Sequence, residues 1–139
     1  MAARTAPPPR HGPFRLLLPL LGACGIAALW VLLVLALDRP MAAFAFVAAL
    51  DLVLMVRLAR MPRGNARGWI AAAGTALAIA LAIWWSAAAR VGMLLGLLPW
   101  EGIPLMGGGF AWTLAQLMHA PLDWTIYALA VLLAGWFGR

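Results

Sequence analysis

The sequence contains no lysine and a single cysteine, and both features limit what the chain can be. With Cys24 alone, no disulfide can form within the chain, so cysteine usage says nothing about the redox compartment. All ten basic residues are arginine, against four acids. The lack of lysine beside abundant alanine, arginine and glycine is typical of a GC-rich bacterial genome, which indicates a bacterial protein.

Apolar residues dominate the composition. They make up 66% of the 139 residues, and the mean hydropathy is +0.98. Soluble domains contain only about 45–50% apolar residues, so this is an integral membrane protein. The long apolar runs do not alternate with polar residues, which favours membrane-spanning helices over a barrel. The fold class that follows is an all-α integral membrane protein.

Four apolar stretches predict four transmembrane helices. They cover about residues 16–37, 41–58, 69–89 and 122–137. Asp38-Arg39-Pro40 predicts a tight turn between the first two, and Met61 to Gly68 predicts a loop before the third. The proline-rich residues 1–13 predict a disordered cytoplasmic tail, in which His11 is a solvated residue, and residues 14–139 form the transmembrane domain.

The first span contains a second motif. Leu21-Gly22-Ala23-Cys24, preceded by Arg15 and an apolar run, resembles the lipobox of a bacterial lipoprotein signal. The hydrophobic region of such a signal covers about 7–15 residues and ends at the cleavage site, whereas this run continues to Leu37. We therefore favour a plain transmembrane helix, and lipidation of Cys24 stays open.

Residues 91–120 predict an interfacial or re-entrant segment between helices 3 and 4. Either the third helix extends beyond the bilayer, or a separate short helix lies at the interface. Thr113, Gln116 and His119 recur at three-residue spacing, which predicts an amphipathic helix over 110–119. Small residues at Gly74, Ala78 and Ala82, and at Gly92 and Gly96, predict faces where helices approach closely.

The arginines predict the orientation of the chain. With a cytoplasmic N-terminus, eight arginines fall inside and Arg39 and Arg90 fall outside, as the positive-inside rule requires. Both termini are then cytoplasmic, and the predicted location is the bacterial inner membrane. Four of the inside arginines lie in one loop that contains no acid: Arg57, Arg60, Arg63 and Arg67. Two interpretations stay open for them: they set the topology alone, or they also contact anionic lipid headgroups. Since the arginines are distributed among membrane spans, the basic charge does not indicate nucleic-acid binding.

Asp51 is the most functional-looking residue, because it lies near the middle of an apolar span. A charged Asp at mid-bilayer costs at least about 2.5–3.5 kcal/mol. Three interpretations stay open. A protonated Asp51 donates a hydrogen bond to Thr75 or a main-chain carbonyl, Asp51 pairs with another subunit, identical or different, or it forms a proton or cation site in a transporter.

A second set of polar residues is predicted on the outer face: Arg90, Glu101, Gln116, His119 and Asp123. Such a set suits a lipid headgroup or a metal, yet no spacing matches a metal-binding or nucleophile motif. We predict no cofactor, no metal and no enzymatic activity.

The function predicted from the sequence is that of a non-catalytic accessory or assembly subunit of a membrane complex. Its expected partners are membrane lipids and another membrane protein or a second copy. The alternative is a small oligomeric transporter or lipid-handling, flippase-like protein that uses Asp51.

Overall fold

The structure, a computed structural model, describes residues 13–139 and is all-helical over that range. It contains five helices: α1 (Phe14–Leu37), α2 (Phe44–Leu58), α3 (Asn65–Leu94), α4 (Gly108–Met118) and α5 (Pro121–Gly138). The predicted tail, including His11, lies outside the described residues apart from Pro13. The all-helical fold class is confirmed.

Three of these helices are long and apolar enough to cross a membrane: Arg15–Leu37, Asn65–Leu94 and Pro121–Gly138. The second predicted span forms α2, which has only 15 residues and begins at Phe44 after a turn over 41–43. At 1.5 Å per residue, α2 is about 22 Å long. It nevertheless packs along α1, α3 and α5.

Helix α3 is the centre of the bundle, because it packs against all four other helices. The buried interior consists largely of alanine, which lets helices approach closely. The predicted small-residue face of α3 is confirmed, since Leu52 of α2 packs onto Gly74 and both Ala78 and Ala82 are buried. A Cβ on Gly74 would lie 2.6 Å from a methyl carbon of Leu52.

The third helix is longer than its predicted span, 69–89, at both ends. It begins at Asn65, so the last four residues of the predicted loop are helical. Gly68 faces α5 there, and a Cβ on it would lie 2.6 Å from the carbonyl oxygen of Gly135. This contact supports helical structure where the composition alone predicts a loop.

The other end of α3 extends into the segment 91–120, which was predicted to be interfacial or re-entrant. The helix continues to Leu94 and stops at Gly96, which has a φ of +73°. The N–H of Leu97 donates to the carbonyl of Gly92 and that of Gly96 to Met93, which is a Schellman cap. The prediction that Gly96 forms a helix-packing face was wrong, because this glycine ends the helix. Gly92 does pack closely, against Gly102.

Residues after the cap form turns, then α4, then a break before α5. His119 and Ala120 are extended, as expected for residues ahead of Pro121, so α4 and α5 are separate helices. Asp123, one of the polar residues predicted on the outer face, lies at the start of α5. It is the third residue of α5, and its carboxylate accepts a hydrogen bond from the N–H of Ala120 at 2.9 Å.

Candidate functional site

Asp51 lies seven residues from each end of α2, at the middle of the helix. Its side chain points toward α1, because a Cβ on Gly22 would lie 3.2 Å from the Oδ2 of Asp51. The same Cβ would lie 2.7 Å from Cγ of Met55. The missing side chain of Gly22 therefore makes the space that the carboxylate and Met55 occupy.

An open groove of about 400 Å³ runs between α1 and α2 at this point. We call it the α1–α2 groove, and its lining is Leu18, Leu21, Gly22, Gly25, Ile26, Leu29, Asp51 and Met55. Asp51 is the one charged residue among them. The other lining residues are apolar, so among the described residues the carboxylate has no second acid beside it in the groove.

Asp51 differs from the other three acids in having no partner among residues 13–139. Asp38 forms an ion pair with Arg90 at 2.9 Å, and Glu101 accepts a hydrogen bond from the N–H of Leu98 at 2.9 Å. Asp123 binds the start of α5, as described above. The structure gives no hydrogen bond or ion pair for Asp51, so the carboxylate that is most costly to bury is the one left unpaired.

Thr75 does not meet Asp51. Its hydroxyl is buried in α3 and donates to the carbonyl of Ala71 at 2.8 Å. Because Leu52 faces α3, the preceding residue, Asp51, faces α1 instead. The hydrogen bond considered between Asp51 and Thr75 is absent here, and the hydroxyl forms the ordinary bond within its own helix.

Two of the four arginines predicted to contact lipid headgroups bind the C-terminal end of α5. Arg57 donates to the carbonyl oxygen of Phe137 at 3.1 Å. Arg67 is buried and donates to the main-chain oxygens of Gly138 and Arg139. The last carbonyls of a helix lack partners in the helix itself, and basic side chains satisfy both the hydrogen bonds and the dipole. Arg60 and Arg63 are exposed, so lipid contact stays a prediction for them.

The polar residues predicted on the outer face are not brought together as one site. Arg90, Glu101 and Asp123 have the partners named above, while Gln116 is exposed on α4. His119 bonds to the carbonyl of Ala115 through Nδ1 at 2.9 Å. Each of the bonded groups has its own local partner, so these side chains do not point into one common site.

His119 and Arg90 do line one small cavity of about 20 Å³ between α1, α3 and the α4–α5 junction. The Nε of Arg90 is buried and has no hydrogen-bond partner among the described residues. The His119 ring packs against Tyr127 and Trp124, with ring centroids 5.7 and 6.2 Å apart. This end of the bundle is therefore built mainly from aromatic contacts.

A larger groove of about 700 Å³ lies between α3, α4 and α5, and we call it the α3–α5 groove. Its walls are almost entirely apolar, with alanine and isoleucine from α3, alanine from α4 and Trp124, Tyr127 and Leu132 from α5. Trp112 and Trp124 both line the groove and contact each other, with ring centroids 5.6 Å apart. The groove has the size and polarity of a site for a hydrocarbon chain.

Among residues 13–139, no three His, Cys, Asp or Glu side chains are placed to hold a metal ion. The fold and the site together define an all-helical membrane protein, with three helices able to span the bilayer and an unpaired acid in a groove between two helices. Comparisons with protein families, with curated proteins and with solved structures found no match in any of the three. The chemistry of the groove is therefore the basis for a functional proposal.

Proposed function

We propose that this chain is a non-catalytic accessory or assembly subunit of a membrane complex, and that it holds its partner through the α1–α2 groove. The observation that carries the proposal is the unpaired carboxylate of Asp51 in that groove. An unpaired charge costs several kcal/mol in hydrocarbon, and a protein partner offsets this cost on assembly.

We further propose four membrane crossings, with α2 as the short one, and both termini in the cytoplasm of a bacterial cell. Helix α2 packs along three helices that are long enough to span, which supports its placement at the same depth. Arg57 and Arg67 lie at the end of the bundle where α5 finishes, whereas Asp38 and Arg90 pair at the end where α1 and α3 finish. This distribution favours the arginine-rich end as the cytoplasmic one.

Cysteine labelling tests this orientation in intact cells. In a Cys24→Ala background, Trp100→Cys is expected to react with an impermeant maleimide from outside, and Arg63→Cys only after the cells are opened. Both positions are exposed at chain turns, so accessibility to the reagent is not limited by packing. Equal labelling of both positions from outside would rule out the layout.

The accessory role is tested by quantitative recovery of partner proteins in mild detergent. Asp51→Asn removes the charge at nearly constant volume, and we expect it to lower the recovered partner while the chain itself folds normally. Asp38→Asn is the matched control, since it makes the same chemical change at a carboxylate that is 87% exposed. If the two variants recover the same amount of partner as the unaltered chain, the proposal fails.

The second candidate is a small lipid-handling or transport protein, and the α3–α5 groove favours it. That groove is large enough for a hydrocarbon chain and lies beside two of the membrane-spanning helices. Proteoliposomes that hold the purified chain would then move a fluorescent lipid between leaflets, or a proton or cation across the bilayer. In this case Asp51→Asn abolishes pH-dependent flux while partner association persists, which is the opposite of the first proposal.

A further inference from the structure

We infer that the occupant of the α1–α2 groove is a transmembrane helix of a different protein, and that this helix carries a lysine or arginine near its midpoint. The inference rests on the proposed function, because it names the chemistry of the partner that the accessory subunit holds. It follows from the depth of Asp51, the shape of the groove around it and the absence of a cation paired with Asp51 among residues 13–139.

The depth of Asp51 favours a positive group that comes from the partner. Seven residues separate Asp51 from either end of α2, which places it about 10 Å from each end at 1.5 Å per residue. An Asp side chain has one methylene, so it does not reach water as the long stems of lysine and arginine do. A cation on a neighbouring helix can reach the carboxylate instead, and charge-assisted hydrogen bonds are the strongest that such a pair can form.

The groove allows a helix to come close to that carboxylate. Gly22 lies directly against Asp51, and a Cβ added to Gly25 would have no atom within 4 Å. Gly25, one helical turn from Gly22 on α1, therefore leaves an open patch without a side chain next to the space that Asp51 and Met55 fill. Small residues of this kind allow the backbone of a second helix to approach.

A second copy of this chain does not supply the missing cation. Copies inserted in the same direction meet across a twofold axis along the membrane normal, which brings Asp51 against Asp51. Two carboxylates side by side disfavour each other's charge. The arginines of the four proposed crossings lie near helix ends, away from the depth of Asp51. The buried hydroxyls of Thr75 and Ser86 already donate to the carbonyls of Ala71 and Ile83, so they are not available to the Asp51 of a second copy.

A lipid chain or a free metal ion also fits the groove poorly. A hydrocarbon chain would leave the carboxylate unpaired. Hard cations such as Ca²⁺ and Mg²⁺ take about six or more oxygen ligands, whereas Gly22 and Met55 beside Asp51 bring no carboxylate or hydroxyl. The charge and the shape of the groove are satisfied together by a helix with a basic side chain.

The test uses the purified full chain in liposomes with synthetic transmembrane peptides as probes. Each peptide is a leucine- and alanine-rich helix of about 20 residues, long enough to span a bilayer. Its central residue is lysine, norleucine or glutamate, and it carries an acceptor dye for the native tryptophans. We expect the lysine peptide to bind at least about tenfold more tightly than the norleucine peptide, a ratio equal to about 1.4 kcal/mol.

Three variants locate the binding. Asp51→Asn is expected to remove the preference for lysine, and Gly25→Leu is expected to block the groove without disturbing the fold, because open space surrounds Gly25. Ala28→Leu is the matched control, since Ala28 is exposed on the same helix but does not line the groove. It should bind the lysine peptide as the unaltered chain does.

Several outcomes overturn the inference. Equal binding of the lysine and norleucine peptides shows that a basic group is not recognised, and a lysine preference that survives Asp51→Asn places the recognition elsewhere. Energy transfer between two differently labelled copies of the chain is a third outcome. If Asp51→Asn abolishes that transfer, the occupant of the α1–α2 groove is a second copy.

The proposed function fails separately from this inference. If no peptide binds, but Asp51→Asn and Gly25→Leu both lose the native partner in mild detergent, the partner chemistry is wrong and the accessory role stands. If no peptide binds and both variants keep the native partner, the groove has no docking role and both ideas fall.

Discussion

Replacing Arg67 by lysine should destabilise the protein even though the charge is kept. Arg67 is buried with 8% of its surface exposed, and its guanidinium donates from two different nitrogens to two main-chain oxygens at the end of α5. A lysine ammonium is a compact point charge that lacks this planar fork. If Arg67 serves only to orient the chain in the membrane, the substitution is neutral, because lysine satisfies the positive-inside rule equally well.

The expected magnitude follows from the number of bonds lost. Hydrogen bonds to charged groups contribute about 1.5–3 kcal/mol each. Arg67→Lys keeps at most one of the two, so the free energy of unfolding should fall by about 1.5 kcal/mol. Arg67→Met loses both and should lower it by about 3 kcal/mol, a large part of the roughly 5–15 kcal/mol that holds a typical domain folded.

Unfolding by sodium dodecyl sulfate in mixed micelles, followed by tryptophan fluorescence, measures these differences, since the chain has eight tryptophans. Arg63→Lys is the matched control, because Arg63 is exposed just before α3 begins and has no hydrogen bond or ion pair among residues 13–139. Arg67→Lys should have a clearly lower free energy of unfolding than Arg63→Lys. Identical unfolding of Arg67→Lys and Arg63→Lys would refute the role of Arg67 as a cap on α5.

Two further predictions concern packing. Gly102→Ala should destabilise the turns over 95–107 by about 1–3 kcal/mol, because the new Cβ would lie 2.1 Å from the carbonyl oxygen of Ala88. Hydrogen exchange would show faster opening of these turns. Gly108→Ala is the control and should leave the exchange rates unchanged, because open space surrounds Gly108. Trp30→Ala should cost about 3–5 kcal/mol in detergent unfolding, since Trp30 is 3% exposed, whereas Trp100→Ala, at a position 63% exposed, should stay within about 0.5 kcal/mol. Equal losses at the two tryptophans would contradict the buried role of Trp30.

The helical membrane class follows directly from the sequence, because composition and run length depend only on neighbouring residues. The small-residue face at Gly74, Ala78 and Ala82 follows for the same reason, since helical spacing sets it. The presence of an isolated acid, Asp51, in an apolar span is also visible in the sequence. Its direction toward Gly22 is not, because that depends on how α1 and α2 pack.

Other features depend on contacts far apart in the chain. Arg67 binds Gly138, 71 residues away, so charge patterning alone indicates only which side of a membrane it faces. Gly92 and Gly96 have the spacing of a helix-packing motif, yet Gly96 ends the helix with a positive φ. Tryptophan in a membrane protein often lies at the interface, yet Trp30 is a core residue, packed edge-on against Phe44 and Tyr127.

Helices α2 and α3 differ twofold in length and are packed side by side, and this affects the surrounding lipid. Helix α3 has 30 residues and α2 has 15, or about 45 Å against about 22 Å at 1.5 Å per residue. In the proposed arrangement, in which α2 crosses the bilayer, a hydrocarbon layer of about 30 Å matches neither helix, so lipid would thin beside α2, and α3 would tilt or project into the headgroups. A neighbouring protein docked in the α1–α2 groove would cover part of α2 and relieve the deformation of the bilayer there.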